Sequence, residues 1–221
     1  MSYQAVLDRM TAAAGRVGRD PSSVTLVAVS KAKPVSDIEA LYQLGHRDFG
    51  ENRAQEMAEK AAVLPSDIRW HFVGALQSNK ARLVRPITFL LHSMDRESLG
   101  AAWAKGPDLP PPVLLEVNVG REPQKSGVLA EDASEMVGRL QELGLEVRGL
   151  MAIPPAVEDP EQSRPGFETL RRLRDEVAGT HPTVVELSMG MTDDFEVAVE
   201  VGASMIRVGR AIFGPRMQRS D

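Results

Sequence analysis

The sequence predicts an α/β protein folded as a (β/α)8 barrel of the TIM type, with one extra helix at its N-terminus. Strand-like and helix-like segments alternate eight times, an order typical of a parallel sheet. The first predicted strand, residues 24–29, is an unbroken apolar run, as expected for a strand buried on both faces. An open doubly wound sheet is the alternative. It usually carries a G-x-G-x-x-G turn after its first strand, whereas this chain has SKAKP at residues 30–34.

The elements follow from the spacing of apolar residues. Residues 3–16 are predicted to form the extra helix, because Val6, Leu7 and Met10 lie on one face of a helix. Short apolar runs between turn residues predict strands at residues 24–29, 47–50, 69–73, 88–92, 113–119, 145–150, 183–187 and 204–208. Helical spacing, with stops such as Gly45 and Gly144, predicts helices at residues 36–44, 53–62, 78–84, 96–104, 130–143, 160–178, 193–201 and 211–218.

Composition limits the possible functions. The 221 residues, 43% hydrophobic and 26% charged, are expected to form one soluble domain spanning residues 1–221. The absence of cysteine excludes disulfides, thiolate metal sites and a cysteine nucleophile, and the four histidines show no metal-binding spacing. The net charge of −5 argues against a nucleic-acid binder. Without a signal peptide or an apolar run of membrane-spanning length, the expected compartment is the cytoplasm, with no membrane contact.

Polar and glycine residues gather at the carboxyl ends of the predicted strands. In a TIM barrel these ends form one mouth, which is where active groups lie. The residues concerned are Lys31, Asn52, Gly74, Ser93, Asn118, Ser188 and Arg207. The pattern favours a ligand pocket at that mouth. The alternative is that strand ends are simply where chains become polar.

Lys31 is the candidate nucleophile. It follows the first strand directly, so we expect its side chain beside the barrel mouth. A partly buried lysine with cationic neighbours has a lowered pKa, and here Lys33 and Arg207 could supply the charge. Such an amine forms Schiff bases with aldehydes, including pyridoxal 5′-phosphate (PLP). A solvated lysine at a strand end is the alternative.

The last two strand–helix junctions predict a phosphate site, because barrels of this type usually bind phosphate after strands seven and eight. Small residues there expose backbone N–H groups, and hydroxyls add donors. The predicted phosphate ligands are Ser188, Gly209 and Arg210, with Thr192 as a further candidate. Asp193 and Asp194 argue against a phosphate at the helix start itself. We expect them to cap that helix, with Glu196 completing a capping box on Asp193. Ordinary turn chemistry is the alternative.

Two other features have structural interpretations. His71 and His92 could be pocket residues, but a histidine beside a strand end is more often a structural one with its hydrogen bonds satisfied. The loop at residues 77–80 could bind a partner or a second phosphate. We expect instead that Ser78 caps the following helix.

A series of ordered motifs resembles the pyridoxal phosphate homeostasis protein family. Any one motif is weak, but eight in series are specific. They are VSKAKP (29–34), DFGEN (48–52), WHFVG (70–74), LQSNK (76–80), KSG (125–127), GLMAIP (149–154), LSMGMTDDF (187–195) and IRVGRAIFG (206–214). Three positions depart from the family pattern, and one of them is Ala75, which stands where a histidine is common. Arg210 replaces a small hydroxyl residue, so that only its backbone N–H is carried over, and Ala32 replaces Thr or Tyr.

The resemblance implies a barrel similar to the N-terminal domain of alanine racemase, with PLP as cofactor. It implies that Lys31 carries PLP and that Arg207 approaches the pyridine nitrogen. It also implies that Ser188 and the backbone at Gly209 and Arg210 hold the phosphate. Asn52 occupies a motif position near the ring.

The resemblance favours a PLP carrier or buffer without efficient catalysis. An arginine at the pyridine nitrogen leaves the ring a weaker electron sink than a carboxylate would. A two-base racemase needs a second acid/base group, but Tyr3 and Tyr42 are the only tyrosines and neither lies at a predicted strand end. The expected partners are PLP and apo forms of PLP-dependent enzymes, and we expect a monomer. The alternatives are a PLP-dependent racemase-like enzyme and a Schiff-base aldolase or phosphosugar barrel without PLP.

Overall fold

Eight parallel strands pair in sequence order and close into a barrel in the computed structural model, which describes residues 2–155 and 157–214. The strands are β1 Thr25–Val29, β2 Asp48–Glu51, β3 Arg69–Phe72, β4 Thr88–Met94, β5 Val113–Glu116, β6 Val147–Met151, β7 Glu186–Ser188 and β8 Met205–Val208. Closure comes from β1, which pairs with β2 on one side and with β8 on the other. The predicted TIM-type barrel is confirmed.

A helix follows each strand, and one helix precedes the first. The helices are α1 Tyr3–Arg16, α2 Val35–Gln43, α3 Ala54–Ala61, α4 Ala81–Val84, α5 Glu97–Ala104, α6 Ala133–Glu142, α7 Arg164–Ala178, α8 Phe195–Val201 and α9 Arg210–Phe213. The predicted extra helix is therefore confirmed as α1. The last predicted helix continued to residue 218, and its residues 215–218 lie outside the described part of the chain.

Helix α1 packs against α8 and begins at a side-chain cap. The Ser2 hydroxyl accepts a hydrogen bond from the Ala5 N–H, while Val6 and Met10 are buried. Arg9 donates to Glu196 at 2.6 Å, so the predicted capping box of Glu196 on Asp193 is wrong. The carboxylate of Glu196 pairs with another helix because α1 brings a guanidinium within reach.

The end of β5 and the role of Ser78 differ from the prediction. Strand β5 ends at Glu116 instead of residue 119, because Val117 forms an isolated bridge to Val128 where the following loop folds back. Ser78 starts a short 3-10 turn without capping it, and its hydroxyl accepts a hydrogen bond from Arg96. The predicted Ser78 cap is therefore wrong.

The strands divide their side chains between two hydrophobic clusters. Leu91 and Leu115 belong to a large cluster that includes the helix residues, so they point outward toward the helices. Their neighbours Leu90 and Leu114 pack in a small separate cluster with Met151 and Met205. Since successive strand residues point to opposite faces, this small cluster lies inside the barrel.

Strands β6 and β7 approach each other closely at one glycine. A Cβ atom added to Gly149 would lie 2.1 Å from the carbonyl oxygen of Glu186. That distance is far inside van der Waals contact, so the pairing of these strands requires glycine at this position.

Candidate functional site

A cavity of about 580 Å³ opens at the carboxyl ends of the strands. Six of the seven predicted site residues line it: Lys31, Asn52, Thr192, Arg207, Gly209 and Arg210. These residues are far apart in sequence, and they meet because parallel strands end at the same rim of the barrel. Ser188 is not among the lining residues.

Lys31 occupies a tight turn directly after β1. The next residue, Ala32, has a φ of +58°, which is the left-handed region that favours glycine. Its backbone N–H donates to Glu56 Oε1 at 2.6 Å, and on the other side Ser30 Oγ donates to Glu51 Oε1 at 2.7 Å. Both neighbours of Lys31 are therefore held by carboxylates.

A buried lysine joins these two carboxylates. Lys60 Nζ lies 2.6 Å from Glu51 Oε1 and 2.7 Å from Glu56 Oε1, and it also donates to the Ser30 carbonyl at 2.8 Å. Lys60 and Glu51 are almost fully buried, and burial raises the pKa of Glu51 although Lys60 opposes the shift. We call Ser30, Glu51, Glu56 and Lys60 the β1 anchor. Sequence reasoning missed Glu56 and Lys60, which appear in the sequence as ordinary helix-surface charges.

Arg207 brings a buried cation to the cavity wall. Its Nη1 donates to Ser188 Oγ at 2.6 Å and its Nη2 donates to the Ala152 carbonyl at 3.0 Å. Burial lowers the pKa of Arg207 to about 10, opposed by the charges of Glu116 and Asp194, so the guanidinium stays charged at neutral pH. The cavity therefore contains a fixed hydrogen-bond donor with a positive charge.

Ser188 lies behind this guanidinium and not in the cavity wall. The residue is completely buried, and its hydroxyl lies 2.8 Å from His92 Nδ1 as well as 2.6 Å from Arg207 Nη1. The phosphate role of Ser188 stays a prediction.

The remaining predicted phosphate ligands lie together. Thr192, Gly209 and Arg210 line the same cavity, and Gly209 passes so close to β1 that an added Cβ would lie 2.9 Å from the Val29 carbonyl oxygen. The Arg210 side chain pairs with Asp193, and both are exposed. This pair contradicts the predicted capping role of Asp193.

The helix cap at α8 is built differently from the prediction. Asp194 precedes the helix, and its Oδ1 accepts a hydrogen bond from the Met191 N–H at 2.7 Å, while its Oδ2 accepts one from Ser163. Asp194 thus shapes the turn between β7 and α8, where Thr192 lies. The Arg210–Asp193 ion pair, by contrast, is exposed and contributes little to the stability of this turn.

Asn52 follows β2 directly and lies close to Gly74, which follows β3. A Cβ atom added to Gly74 would lie 2.6 Å from the Asn52 Cβ, so glycine at residue 74 leaves room for the Asn52 side chain. Both residues line the cavity. Asn52 therefore lies at the barrel mouth, and its place beside the cofactor ring stays a prediction.

Residues 2–155 and 157–214 contain no cluster of three or more His, Cys, Asp or Glu side chains able to hold a metal ion. None of the helices described there has the length and apolar character to cross a bilayer.

Comparison with known proteins assigns the family. The model of the alanine racemase N-terminal domain matches residues 2–217. The pyridoxal phosphate homeostasis protein of Aquifex aeolicus is 42% identical, over 96% of this chain and 95% of its own. The one from Escherichia coli K12 is 40% identical, over 96% of this chain and 94% of its own. This chain belongs to the pyridoxal phosphate homeostasis protein family.

A solved structure of a similar protein shares this architecture. The structure of PipY from Synechococcus elongatus PCC7942 with PLP bound superposes with a TM-score of 0.77 at 34% identity. The match covers 95% of this chain and all of PipY. The family resemblance found in the motifs is thereby confirmed.

Proposed function

We propose that this protein binds PLP as a Schiff base on Lys31 and acts in intracellular PLP homeostasis, as a carrier or buffer without efficient catalysis. The observation that carries the proposal is the convergence of Lys31, Arg207 and Thr192 on one cavity. Its volume of about 580 Å³ lies within the range of small-ligand sites. The names of the relatives and the PLP in PipY support the same cofactor.

The cavity residues match the chemistry of PLP group by group. The Lys31 amine would hold the aldehyde, and the Arg207 guanidinium would face the pyridine nitrogen. Thr192 and the backbone of Gly209 and Arg210 would hold the phosphate, with Asn52 beside the ring. When bound, PLP supplies an electrophilic carbonyl and an electron-accepting ring.

The surroundings favour holding the cofactor over catalysis. A guanidinium whose pKa stays near 10 keeps its protons and cannot protonate the pyridine nitrogen efficiently. The two tyrosines are engaged elsewhere, Tyr3 with His46 at 3.2 Å and Tyr42 with Asp67 at 2.8 Å. Neither tyrosine lines the cavity, so neither is placed to act as a racemase acid/base.

The decisive experiment maps the lysine. Purified protein incubated with PLP should show a visible absorption band, and borohydride reduction should fix the cofactor on the peptide that contains Lys31. Lys31→Ala should abolish both signals. Lys33→Ala, which removes a second amine of the same cavity, should keep them. Labelling of Lys33, or no labelling, would refute the proposed attachment.

Two further measurements separate a carrier from an enzyme. Exchange of the α-deuterium of free amino acids at enzyme-like rates would support the racemase-like alternative. Transfer of bound PLP to an apo-enzyme, faster than transfer through free solution, would support the carrier. Equal transfer rates would leave a storage role.

A further inference from the structure

A chain of hydrogen bonds crosses the barrel interior from β2 to β8. Asp48 Oδ1 lies 3.1 Å from His71 Nε2, and His71 Nδ1 lies 2.8 Å from His92 Nε2. At the other end, Ser188 Oγ lies 2.8 Å from His92 Nδ1 and 2.6 Å from Arg207 Nη1. The residues belong to β2, β3, β4, β7 and β8 in turn.

The chemistry of its two ends fixes the direction of donation along this series of hydrogen bonds. A guanidinium has donors only, so the Ser188 oxygen accepts from Arg207 and its hydrogen goes to His92 Nδ1. His92 then carries its hydrogen on Nε2 and donates to His71 Nδ1. His71 in turn donates from Nε2 to the Asp48 carboxylate. Every donor therefore points away from the cavity and toward Asp48.

Burial favours neutral imidazoles at His71 and His92, although the Asp48 carboxylate opposes this at His71. His71 and His92 have no exposed surface, and burial lowers the pKa of both, that of His92 well below its usual value. Burial raises the pKa of Asp48, but hydrogen bonds from Arg69 and His71 outweigh it and hold that pKa below its usual range. Asp48 is therefore ionised.

Other titratable groups lie near the two ends. His46 Nε2 lies 2.8 Å from the Asp48 carbonyl oxygen, and Arg69 pairs with the Asp48 carboxylate. At the cavity end, the charges of Glu116 and Asp194 act on Arg207. The acceptor at the end of the chain is thus a carboxylate paired with a partly exposed arginine at the opposite end of the barrel.

We propose that Asp48, His71, His92 and Ser188 are positioning residues for Arg207. Ser188 can anchor the guanidinium only if its own hydrogen finds an acceptor in the dry barrel interior. His92 accepts that hydrogen, and the series of donors ends at the Asp48 carboxylate through His71. Arg207 is thereby held at Nη1 by the Ser188 hydroxyl and at Nη2 by the Ala152 carbonyl. A guanidinium held this way presents a preorganised hydrogen-bond donor to the cavity. This positioning role rests on the proposed function, in which that donor faces the PLP ring.

Nitrogen-15 NMR of the cofactor-free protein tests the direction of the chain. Both His71 and His92 should be neutral, with hydrogen on Nε2 and a bare Nδ1, at the pH where an unperturbed histidine is half protonated, about 6.5. His46 and His181 serve as internal comparisons. A hydrogen on Nδ1 of His92, or an imidazolium at His71, would reverse or break the chain and overturn the proposal.

A matched pair of serine variants tests the positioning role. Ser188→Ala removes a single oxygen, and we expect it to weaken PLP binding about tenfold and to shift the pH at which the visible band titrates. Ser204→Ala removes a hydroxyl that accepts a hydrogen bond from the Leu187 backbone N–H between β7 and β8. Ser204 takes no part in the series of hydrogen bonds from Asp48 to Arg207. Ser204→Ala should leave both properties unchanged.

The outcomes separate this proposal from the proposed function. If Ser188→Ala behaves like Ser204→Ala while PLP stays on Lys31, the positioning role is refuted and PLP binding stands. If PLP does not bind at Lys31, the proposed function fails, whatever protonation NMR finds at His71 and His92.

Discussion

Glu56 Oε1 accepts a hydrogen bond of 2.6 Å from the backbone N–H of Ala32, the residue that follows Lys31. This contact ties helix α3 to a turn that a non-glycine residue adopts at some cost, since Ala32 has a φ of +58°. The β1 anchor thereby fixes the main chain on both sides of the proposed attachment lysine.

Removing this carboxylate should loosen the turn. Glu56→Ala takes away an ionised acceptor, a contact worth about 1.5–3 kcal/mol, so PLP binding should weaken by about tenfold or more. Titration of the visible band measures the effect. Glu59→Ala, an exposed glutamate of the same helix, should bind PLP like the parent protein. Equal affinities for both variants would show that the Glu56 contact does not position Lys31.

The buried lysine of the anchor should matter for stability. Lys60→Met leaves Glu51 buried with no cation, and breaking a buried pair in this way typically costs about 3–5 kcal/mol. Urea unfolding measures the loss. Adding Glu51→Gln to Lys60→Met removes the stranded charge and should restore part of the stability. A double variant as unstable as the single one would contradict this explanation.

A comparison of PLP with pyridoxal tests whether Thr192 contacts the phosphate group. Thr192→Val keeps the shape of the side chain but removes its hydroxyl, so binding of PLP should weaken by about tenfold to a hundredfold. Pyridoxal, which lacks the phosphate, should bind variant and parent equally. A comparable loss for both ligands would place Thr192 away from the phosphate.

Glu116 should make stability depend on pH. Burial, followed by the charge of Asp95, raises its pKa from 4.5 to about 7, against the opposing charge of Arg207. A raised carboxyl pKa means that the folded state holds the proton more tightly, so its contribution to stability is complete below about pH 4.5 and is lost as the pH rises through about 7.

Glu116→Gln should therefore gain stability relative to the parent between pH 5 and pH 8, by about 2–3 kcal/mol. Urea unfolding at both values of pH measures the difference. Glu142→Gln, at an exposed position, serves as the control. Parallel pH profiles for parent and Glu116→Gln would show that this carboxyl does not titrate in the predicted range.

The sequence predicted the barrel and most of the cavity wall because both depend on local patterns. Lys31 and Arg207 adjoin or belong to recognisable apolar strands, and the geometry of parallel strands brings such residues to one rim. Ser188, the last residue of β7, does not line the cavity, while Thr192, four residues later, does. The extent of the domain and the chemical roles of the site residues stay predictions.

Tertiary contacts account for what the sequence did not predict. Lys60 and Glu56 lie one turn apart on α3, a spacing that also describes an ordinary surface ion pair. Their position beside strand ends predicts that His71 and His92 are structural, and both are buried with their hydrogen bonds satisfied. Their connection to Arg207 depends on which strands face each other across the barrel, and no periodicity in the sequence encodes that.

The close approach of β6 and β7 at Gly149 also affects how variants of this protein should be screened. In a saturation library selected only for expression of folded protein, position 149 should return glycine alone, since the smallest side chain already meets the Glu186 carbonyl oxygen at 2.1 Å. Intolerance there would report on strand assembly and not on vitamin B6 chemistry. If positions were ranked only by how few substitutions they accept, Gly149 would stand beside Lys31, although glycine is required there for folding and not for cofactor binding.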